Sequence, residues 1–343
     1  KLTTVEEFEA ATARLLETGA KVGADSWQMR VKNQTPHCKF GEQGVCCRIC
    51  SMGPCRITPK APRGICGCDV HGIVGRNFLR FTAGGAATHS DHGREICITL
   101  GHAKEGGDYQ VKDPEKLIRI AKEWGVETEG KDIYDLAHEM SDLAQEEYGK
   151  IRGYSRWLKR APQHTQDLWH AAGIEPRAID REVSCALHMT HMGNTSKPEA
   201  LIRQALRNGL SDGWGGSMCG TEFSDVLFGT PKPIDTEANL GVMNAENVNI
   251  VVHGHDPSLS EMICEYADSK EMIDYAKSMG AKGITVSGVC CTSNEVAMRR
   301  GIPMAGNFLQ QENVVLTGAC EAIVVDVQCI FPALGPLSKC FHT

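Results

Sequence analysis

The sequence Val248-Asn-Ile-Val-Val-His-Gly-His255 is a β-branched run that ends in two histidines around one glycine. Two more short β-branched runs follow it, Ile284–Val286 and Ala322–Val327, and an amphipathic segment at 258–279 separates the first two. Strands that alternate with helices pair in parallel, because each helix carries the chain back across the sheet. This part of the chain is therefore predicted to form a parallel sheet of βαβ units.

Each predicted strand leads to residues that can bind a metal. The first ends in His253-Gly-His255, the second runs into Cys290-Cys291, and the third leads to Cys329. Ligands of open parallel sheets collect at the carboxyl ends of strands, so we expect the three loops to meet at one metal site in place of a phosphate-binding loop. Spacing does not choose between the two histidines, and only one of the two adjacent cysteines should be a ligand.

The residues before the sheet predict helices. Thr4-Val-Glu-Glu7 fits a capping box at the start of an N-terminal helix, and Asp113-Pro114 fits the start of another. Further helical patterns lie at 69–107, 132–149, 177–192 and 197–208. We therefore expect an α + α/β fold, with a helical domain over residues 1–235 and an α/β domain over residues 236–343.

Composition excludes several classes of protein. Hydrophobic residues are 41% of the 343 and charged residues are 23%, which excludes a disordered or fibrous chain. No apolar run approaches the roughly 20 residues that span a bilayer. The formal net charge of -7, without any block of Lys or Arg, excludes a nucleic-acid partner.

The 16 cysteines are the unusual feature of the composition. No secretory segment begins the sequence, and clustered cysteines in a long chain favour metal or redox chemistry over a disulfide scaffold, which is the alternative. Cys47-x2-Cys50-x4-Cys55-x10-Cys66 has a spacing typical of a cubane iron-sulfur cluster, and a four-Cys zinc site is the alternative. Cys68 competes with Cys66 for the fourth position.

Cys38 and Cys46 are left over from this set. Adjacent side chains diverge along the backbone, so Cys46 should not share a cluster with Cys47. Two thiolates do not complete a four-thiolate cluster, but a two-fold axis between them would supply two more from a second copy of the chain. A homodimer bridged by a cluster is therefore a hypothesis.

Six motifs occur in order along the chain: His37-Cys-Lys-Phe-Gly-Glu-Gln-Gly-Val-Cys-Cys-Arg-Ile-Cys-Ser-Met-Gly-Pro-Cys-Arg-Ile57, Arg63-Gly-Ile-Cys66, Ala87-Thr-His-Ser-Asp-His-Gly-Arg94, Val252-His-Gly-His255, Gly288-Val-Cys-Cys-Thr292 and Asp326-Val-Gln-Cys329. Together they resemble the anaerobic nickel–iron carbon monoxide dehydrogenases, from about residue 33 to the end.

The resemblance implies a prismane-like architecture, in which a helical domain with the Cys-rich cluster loop precedes a Rossmann-like domain. It implies a homodimer that oxidises CO with water to CO2, two protons and two electrons at a nickel-iron-sulfur cluster. The electrons would leave through a [4Fe-4S] relay cluster and an intersubunit iron-sulfur cluster to a ferredoxin-like acceptor. A cytoplasmic location follows, with membrane association only through partners, and association with an acetyl-CoA synthase subunit stays open.

The same resemblance assigns residues to each centre. Cys38 and Cys46 match the ligands of the intersubunit cluster. The ligands of the relay cubane are matched by Cys47, Cys50, Cys55 and Cys66. His255 and Cys291 match the ligands of the pendant iron of the active cluster, and Cys329 matches a ligand of its cubane part. His89 and His92 match the start of a path that leads protons away, which continues here with Glu95 in place of a histidine.

The match stops about halfway along the family's chain. The resemblance therefore implies that the Rossmann-like domain is cut short at Thr343 and that further ligands, including one for nickel, lie beyond it. A hybrid-cluster hydroxylamine reductase, which shares the fold and an N-terminal Cys motif, is an alternative, although His253-Gly-His255 and Asp326-Val-Gln-Cys329 argue against it. A non-catalytic iron-sulfur electron-transfer segment is a second alternative.

Overall fold

The computed structural model describes residues 5–192 and 194–343, which form two compact units. One unit is Pro36–Gly229, and the other joins the described residues up to Thr35 to Thr230–Thr343. The predicted domain limits, 1–235 and 236–343, stay a prediction. The compact units differ from them at the N-terminus, because the first helices group with the sheet.

The helices account for most of the regular structure. In chain order they are α1 (Val5–Lys21), α2 (Trp27–Asn33), α3 (Lys39–Glu42), α4 (Val70–Gly101), α5 (Pro114–Glu123), α6 (Ile133–Gly149), α7 (Gln163–Ala172), α8 (Ile179–Thr190), α9 (Pro198–Ser211), α10 (Met218–Phe228), α11 (Pro257–Ala267), α12 (Lys270–Ser278), α13 (Cys290–Arg300), α14 (Gln311–Leu316) and α15 (Leu334–Ser338). The strands are β1 (Cys46–Cys47), β2 (Cys55–Arg56), β3 (Val248–Gly254), β4 (Ile284–Val289), β5 (Met304–Gly306) and β6 (Ala322–Val325).

The helical unit is organised around α4, a helix of 32 residues. The Asp69 carboxylate accepts the backbone N–H of Gly72 and caps the start of this helix. Helices α6, α8, α9 and α10 pack against it. The core between α4 and its neighbours is aromatic, with the rings of Trp124 and Trp157 edge to face at 4.9 Å and Phe223 beside both.

The second unit contains the predicted parallel sheet. Its strand order is β5-β4-β3-β6, with His253 opposite Val289 on one side and opposite Val325 on the other. The segment predicted as one helix over 258–279 is two helices, because the Ser269 hydroxyl accepts the Met272 N–H and starts a new helix there. The prediction also missed β5, whose three residues are too few to show a strand pattern.

Helix α2 is joined to α14 of the sheet unit through a buried carboxylate. Glu312 on α14 accepts the backbone N–H of Trp27 at 2.6 Å and pairs with the Arg30 guanidinium. The Glu312 side chain is fully buried, and a buried carboxylate needs such partners. The predicted N-terminal helix is present as α1, while Thr4 of its capping box lies outside the described residues. None of the described helices combines the length and the apolar character that a membrane crossing requires.

Candidate metal centres

The Cys-rich loop brings five sulfurs to one cavity. Strands β1 and β2 pair antiparallel with Cys47 directly opposite Cys55, so the two side chains project from the same face. The lining of this cavity, which we call the four-Cys cavity after the four predicted ligands, includes the cysteines of the loop. These are Cys47, Cys50, Cys55, Cys66 and Cys68. The spacing of the cysteines thus becomes a spatial cluster of thiols.

Backbone N–H groups of this loop are directed at two of the sulfurs. The Ile65 N–H donates to the Cys55 sulfur at 3.4 Å. A hydrogen bond from the Cys68 backbone N–H lowers the pKa of the Cys66 thiol, whereas burial raises the pKa of Cys68. A metal binds the thiolate form of cysteine, so Cys66 suits the fourth ligand position better than Cys68. Its role as a ligand stays a prediction.

Cys46 is separated from the four-Cys cavity. It lines a different groove, which Arg80 and Phe81 of α4 also line. Phe81 is 80% exposed on this groove, and Cys38 is exposed at the start of α3. This arrangement agrees with the expected divergence of Cys46 from Cys47, while the shared cluster and the dimer stay predictions.

Hydrogen bonds join the three loops at the carboxyl edge of the sheet. The buried His253 ring contacts the Gln311 side-chain oxygen at 3.1 Å, and the Gln311 amide donates to the Cys329 carbonyl at 2.9 Å. The His255 backbone N–H donates to the Asp326 carboxylate at 2.6 Å. These bonds join the end of β3 to the loop that follows β6. Cys290, the first residue of α13 after β4, forms a parallel β-bridge with Gly254, the last residue of β3.

The backbone is strained at this same edge. In the described ranges, the residues other than glycine with positive φ are Cys290, Gln328 and Cys329, at 69°, 70° and 58°. A side chain disfavours this region, so the surrounding bonds must hold each residue there. Strain of this kind concentrates at functional sites. We refer to the end of β3, the start of α13 and the loop after β6, residues 253–256, 290–291 and 326–329, as the sheet-edge crevice.

The thiols of the sheet-edge crevice interact electrostatically. Partial burial, and then the charge of Cys329, raise the pKa of Cys290 to about 12 and also raise the pKa of Cys291. The thiols therefore lie close enough for one ionised sulfur to oppose the ionisation of the next. A bound cation would reverse this effect, because it stabilises the thiolate form.

Asp326 is a site residue whose role sequence reasoning missed. Burial raises its pKa to about 6, although it accepts backbone N–H bonds from His255 and Val327. Gly254 has a φ of +141°, and a Cβ at this position would lie 1.8 Å from an Asp326 carboxylate oxygen. Only glycine therefore fits beside this carboxylate. The signal in the sequence is that Asp326 lies near the end of the predicted run Ala322–Val327 and begins the motif Asp326-Val-Gln-Cys329.

No three His, Cys, Asp or Glu side chains of residues 5–192 and 194–343 form a group that could hold a single metal ion. In a [4Fe-4S] cubane held by four cysteines, each iron takes one thiolate and inorganic sulfide completes the coordination, so the protein ligands stand further apart. The preference for a cluster over a zinc ion stays a prediction. All sixteen cysteines are free, so none forms the disulfides of the alternative interpretation.

His89 and His92 differ in their surroundings on α4. His89 Nδ1 lies 2.7 Å from the Asp212 carboxylate, and this hydrogen bond raises the pKa of His89. Burial lowers the pKa of His92 to about 4, and Gly220 packs against its ring. The sequence did not point to Asp212, which a π-helical turn at Asp212–Ser217 presents from 123 residues away. Glu95, at the next step of the predicted path, is exposed.

Comparison with known proteins identifies related chains. Carbon monoxide dehydrogenase 1 of Methanosarcina mazei is 48% identical over 98% of this chain and 55% of its own length. The carbon monoxide dehydrogenase/acetyl-CoA synthase subunit beta of Moorella thermoacetica is 42% identical over 90% of this chain and 47% of its own length. The chain thus spans about half the length of the curated relatives it matches.

A solved structure agrees with these matches. The nickel-free crystal structure of a carbon monoxide dehydrogenase from Thermococcus sp. AM4 superposes with a TM-score of 0.92 at 48% identity, over 96% of this chain and 53% of that one. The expected α + α/β, prismane-like fold is therefore confirmed. The Prismane/CO dehydrogenase family matches residues 45–343, and this chain belongs to that family.

Proposed function

We propose that the protein oxidises CO with water to CO2, two protons and two electrons, and that the sheet-edge crevice holds part of the nickel-iron-sulfur cluster where this occurs. The observation that carries the proposal is the convergence of strained Cys290, Gln328 and Cys329 with the hydrogen-bonded loop of His255. The relatives named carbon monoxide dehydrogenase support this activity over hydroxylamine reduction or electron transfer alone.

The residues present fit such cofactors. Thiolate ligands suit iron-sulfur clusters and soft metals, and imidazole suits iron and nickel. When bound, the nickel-iron-sulfur cluster supplies a soft metal for CO, an iron that activates water, and a store for two electrons. His255 and Cys291 would hold its pendant iron, and Cys329 would hold its cubane part.

The Cys-rich loop would carry the electrons away. Cys47, Cys50, Cys55 and Cys66 would hold a [4Fe-4S] relay cluster, which the shared cavity and the Ile65 hydrogen bond to Cys55 support. Cys38 and Cys46 would hold an intersubunit cluster in a homodimer. The exposed Phe81 on the groove of Cys46 supports a contact there with a second copy.

His89 and His92 would receive the protons. Asp212 accepts a hydrogen bond from His89 and stabilises its charged form, so His89 can keep a proton that it receives. Burial lowers the pKa of His92 to about 4, so His92 is neutral near pH 7 and would hold a proton only in passing. Each residue thus suits one step of proton removal.

We also propose the partners and location of the protein. Electrons would pass to a ferredoxin-like acceptor in the cytoplasm. Association with an acetyl-CoA synthase subunit is supported by the Moorella thermoacetica relative, which is named as a subunit of carbon monoxide dehydrogenase/acetyl-CoA synthase.

The test uses the complete protein that contains this chain, purified without oxygen. Nickel content, CO-dependent reduction of a viologen dye and hydroxylamine-dependent oxidation of the reduced dye are measured on one sample. Nickel with CO-dependent reduction is the expected result. Hydroxylamine turnover without nickel would favour the reductase, and iron without either activity would favour an electron-transfer protein.

A further inference from the structure

Arg76 is a cation buried beside the four-Cys cavity. It lies on α4, its relative exposure is 1%, and it lines the cavity. Nε and Nη2 donate to the Thr195 carbonyl oxygen at 2.9 and 2.8 Å. Nη1 lies 3.7 Å from the Cys66 sulfur. The guanidinium is thus fixed by a carbonyl on one side and directed at a cysteine on the other.

The charge of Arg76 has no carboxylate partner in the part of the chain that the structure describes. Within residues 5–192 and 194–343, no Asp or Glu lies at ion-pair distance from it, and its partners are Thr195 and Cys66. Two other cations of this unit have carboxylate partners: Arg94 on the same helix pairs with Asp180 at 2.8 Å, and the buried Lys116 pairs with Asp225. An unpaired buried charge is costly, so a buried cation requires an anion nearby.

We propose that Arg76 is the counter-charge of the relay cluster and raises its reduction potential. This inference rests on the proposed assignment of Cys47, Cys50, Cys55 and Cys66 to that cluster. A cubane held by four thiolates is anionic, and it becomes more so when it accepts an electron. A fixed positive charge in a low-dielectric environment stabilises the reduced form more than the oxidised form. Arg76 therefore acts as a positioning and tuning residue that does not bind iron itself.

The test compares Arg76→Met with Arg76→Lys in the complete enzyme. Methionine removes the charge and keeps much of the volume, whereas lysine keeps the charge and loses the two-pronged bond to Thr195. The readout is the midpoint potential of the relay cluster from an EPR-monitored redox titration, which does not depend on turnover. Arg94→Met, on the same helix with its own carboxylate partner, is the matched control.

We expect Arg76→Met to lower the ratio of reduced to oxidised relay cluster at least tenfold at a fixed potential, which is 59 mV for one electron. Arg76→Lys and Arg94→Met should stay close to the unmodified enzyme. An unchanged potential in Arg76→Met, with the cluster present, would overturn the inference. If Arg76→Met loses the cluster, retention in Arg76→Lys supports a charge effect, and equal loss in both variants overturns it. Absence of the cluster from the unmodified enzyme would instead contradict the proposed relay ligands.

Discussion

The Asp326 carboxylate accepts the backbone N–H of His255 at 2.6 Å, and this bond joins the loop after β6 to the loop after β3. The close approach is possible because Gly254 between them has no side chain. Two neighbouring strands thereby present their terminal residues at one place. This bond therefore helps to fix the geometry of the sheet-edge crevice.

Gly254→Ala should therefore damage the crevice. The new methyl group would meet Asp326 and would also suffer strain at a φ of +141°, with a cost of more than about 3 kcal/mol. Gly280→Ala is the control, because Gly280 has a φ of +101° but nothing within 4 Å of an added Cβ. It should cost only the backbone strain, about 1–3 kcal/mol.

Thermal unfolding and nickel content of the complete enzyme measure both substitutions. The apparent Tm should fall by several degrees more for Gly254→Ala than for Gly280→Ala, and nickel should be lost only from the first. Equal effects of the two substitutions would mean that backbone strain, and not the contact with Asp326, explains the glycine.

Cys50→Ser should remove the relay cluster. A serine hydroxyl is a poor substitute for a thiolate, so we expect the loss of one cubane's iron and a slower transfer of electrons to the dye. Iron per chain and the visible absorbance of the cluster measure this effect. Cys185→Ser, a half-buried thiol on α8 outside the cavity, should leave both unchanged. Full iron content in Cys50→Ser would remove this residue from the ligand set.

Cys46→Ser should weaken the association of two chains. If Cys38 and Cys46 hold a cluster with their counterparts from a second copy, loss of either thiol removes one cluster per two chains. Anaerobic sedimentation, together with iron analysis, measures the dimer and the cluster on the same sample. Cys340→Ser serves as the control. A stable dimer with unchanged iron in both Cys38→Ser and Cys46→Ser would exclude the shared cluster.

Asp212→Asn should move the acid limb of CO oxidation to lower pH. The hydrogen bond to Asp212 raises the pKa of His89 above 6.5, so its removal lowers that pKa. A proton acceptor works in its neutral form, so activity rises as the pH passes upward through the pKa, and a lower pKa brings this rise at a lower pH. The pH profile of kcat measures the shift. Asp91→Asn, an exposed carboxylate on the same helix, should leave the limb in place, and an unmoved limb in Asp212→Asn would contradict the role of His89.

Local patterns in the sequence predicted much of the fold. The β-branched run at Val248 predicted the central strand β3, and Asp113-Pro114 predicted the start of α5 with its cap. The spacing of the loop cysteines predicted that their thiols lie together, and the pairing across a short antiparallel turn places Cys47 opposite Cys55. These features depend on residues that are near one another along the chain.

The features that escaped prediction depend on contacts between distant residues. Asp212 lies 123 residues from His89 along the chain, and Glu312 lies 282 residues from Arg30. A local sequence pattern cannot predict contacts between such distant residues. Gln311 joins His253 to Cys329 from a helix whose sequence shows no sign of that role. The sequence does not distinguish Arg76 from the other arginines. Only the structure shows that it is buried with no carboxylate at ion-pair distance among the described residues.

Cys329→Ser in the complete enzyme tests the central claim most directly, with nickel content, iron content and CO-dependent dye reduction measured on one anaerobic preparation. Cys340→Ser, a half-buried thiol of the same unit outside the sheet-edge crevice, is the control. We predict that Cys329→Ser loses nickel and reduces CO-dependent turnover to background while the iron of the relay cluster remains, and that Cys340→Ser keeps all three. Full nickel content with undiminished CO oxidation in Cys329→Ser would contradict the assignment of the active cluster to this crevice.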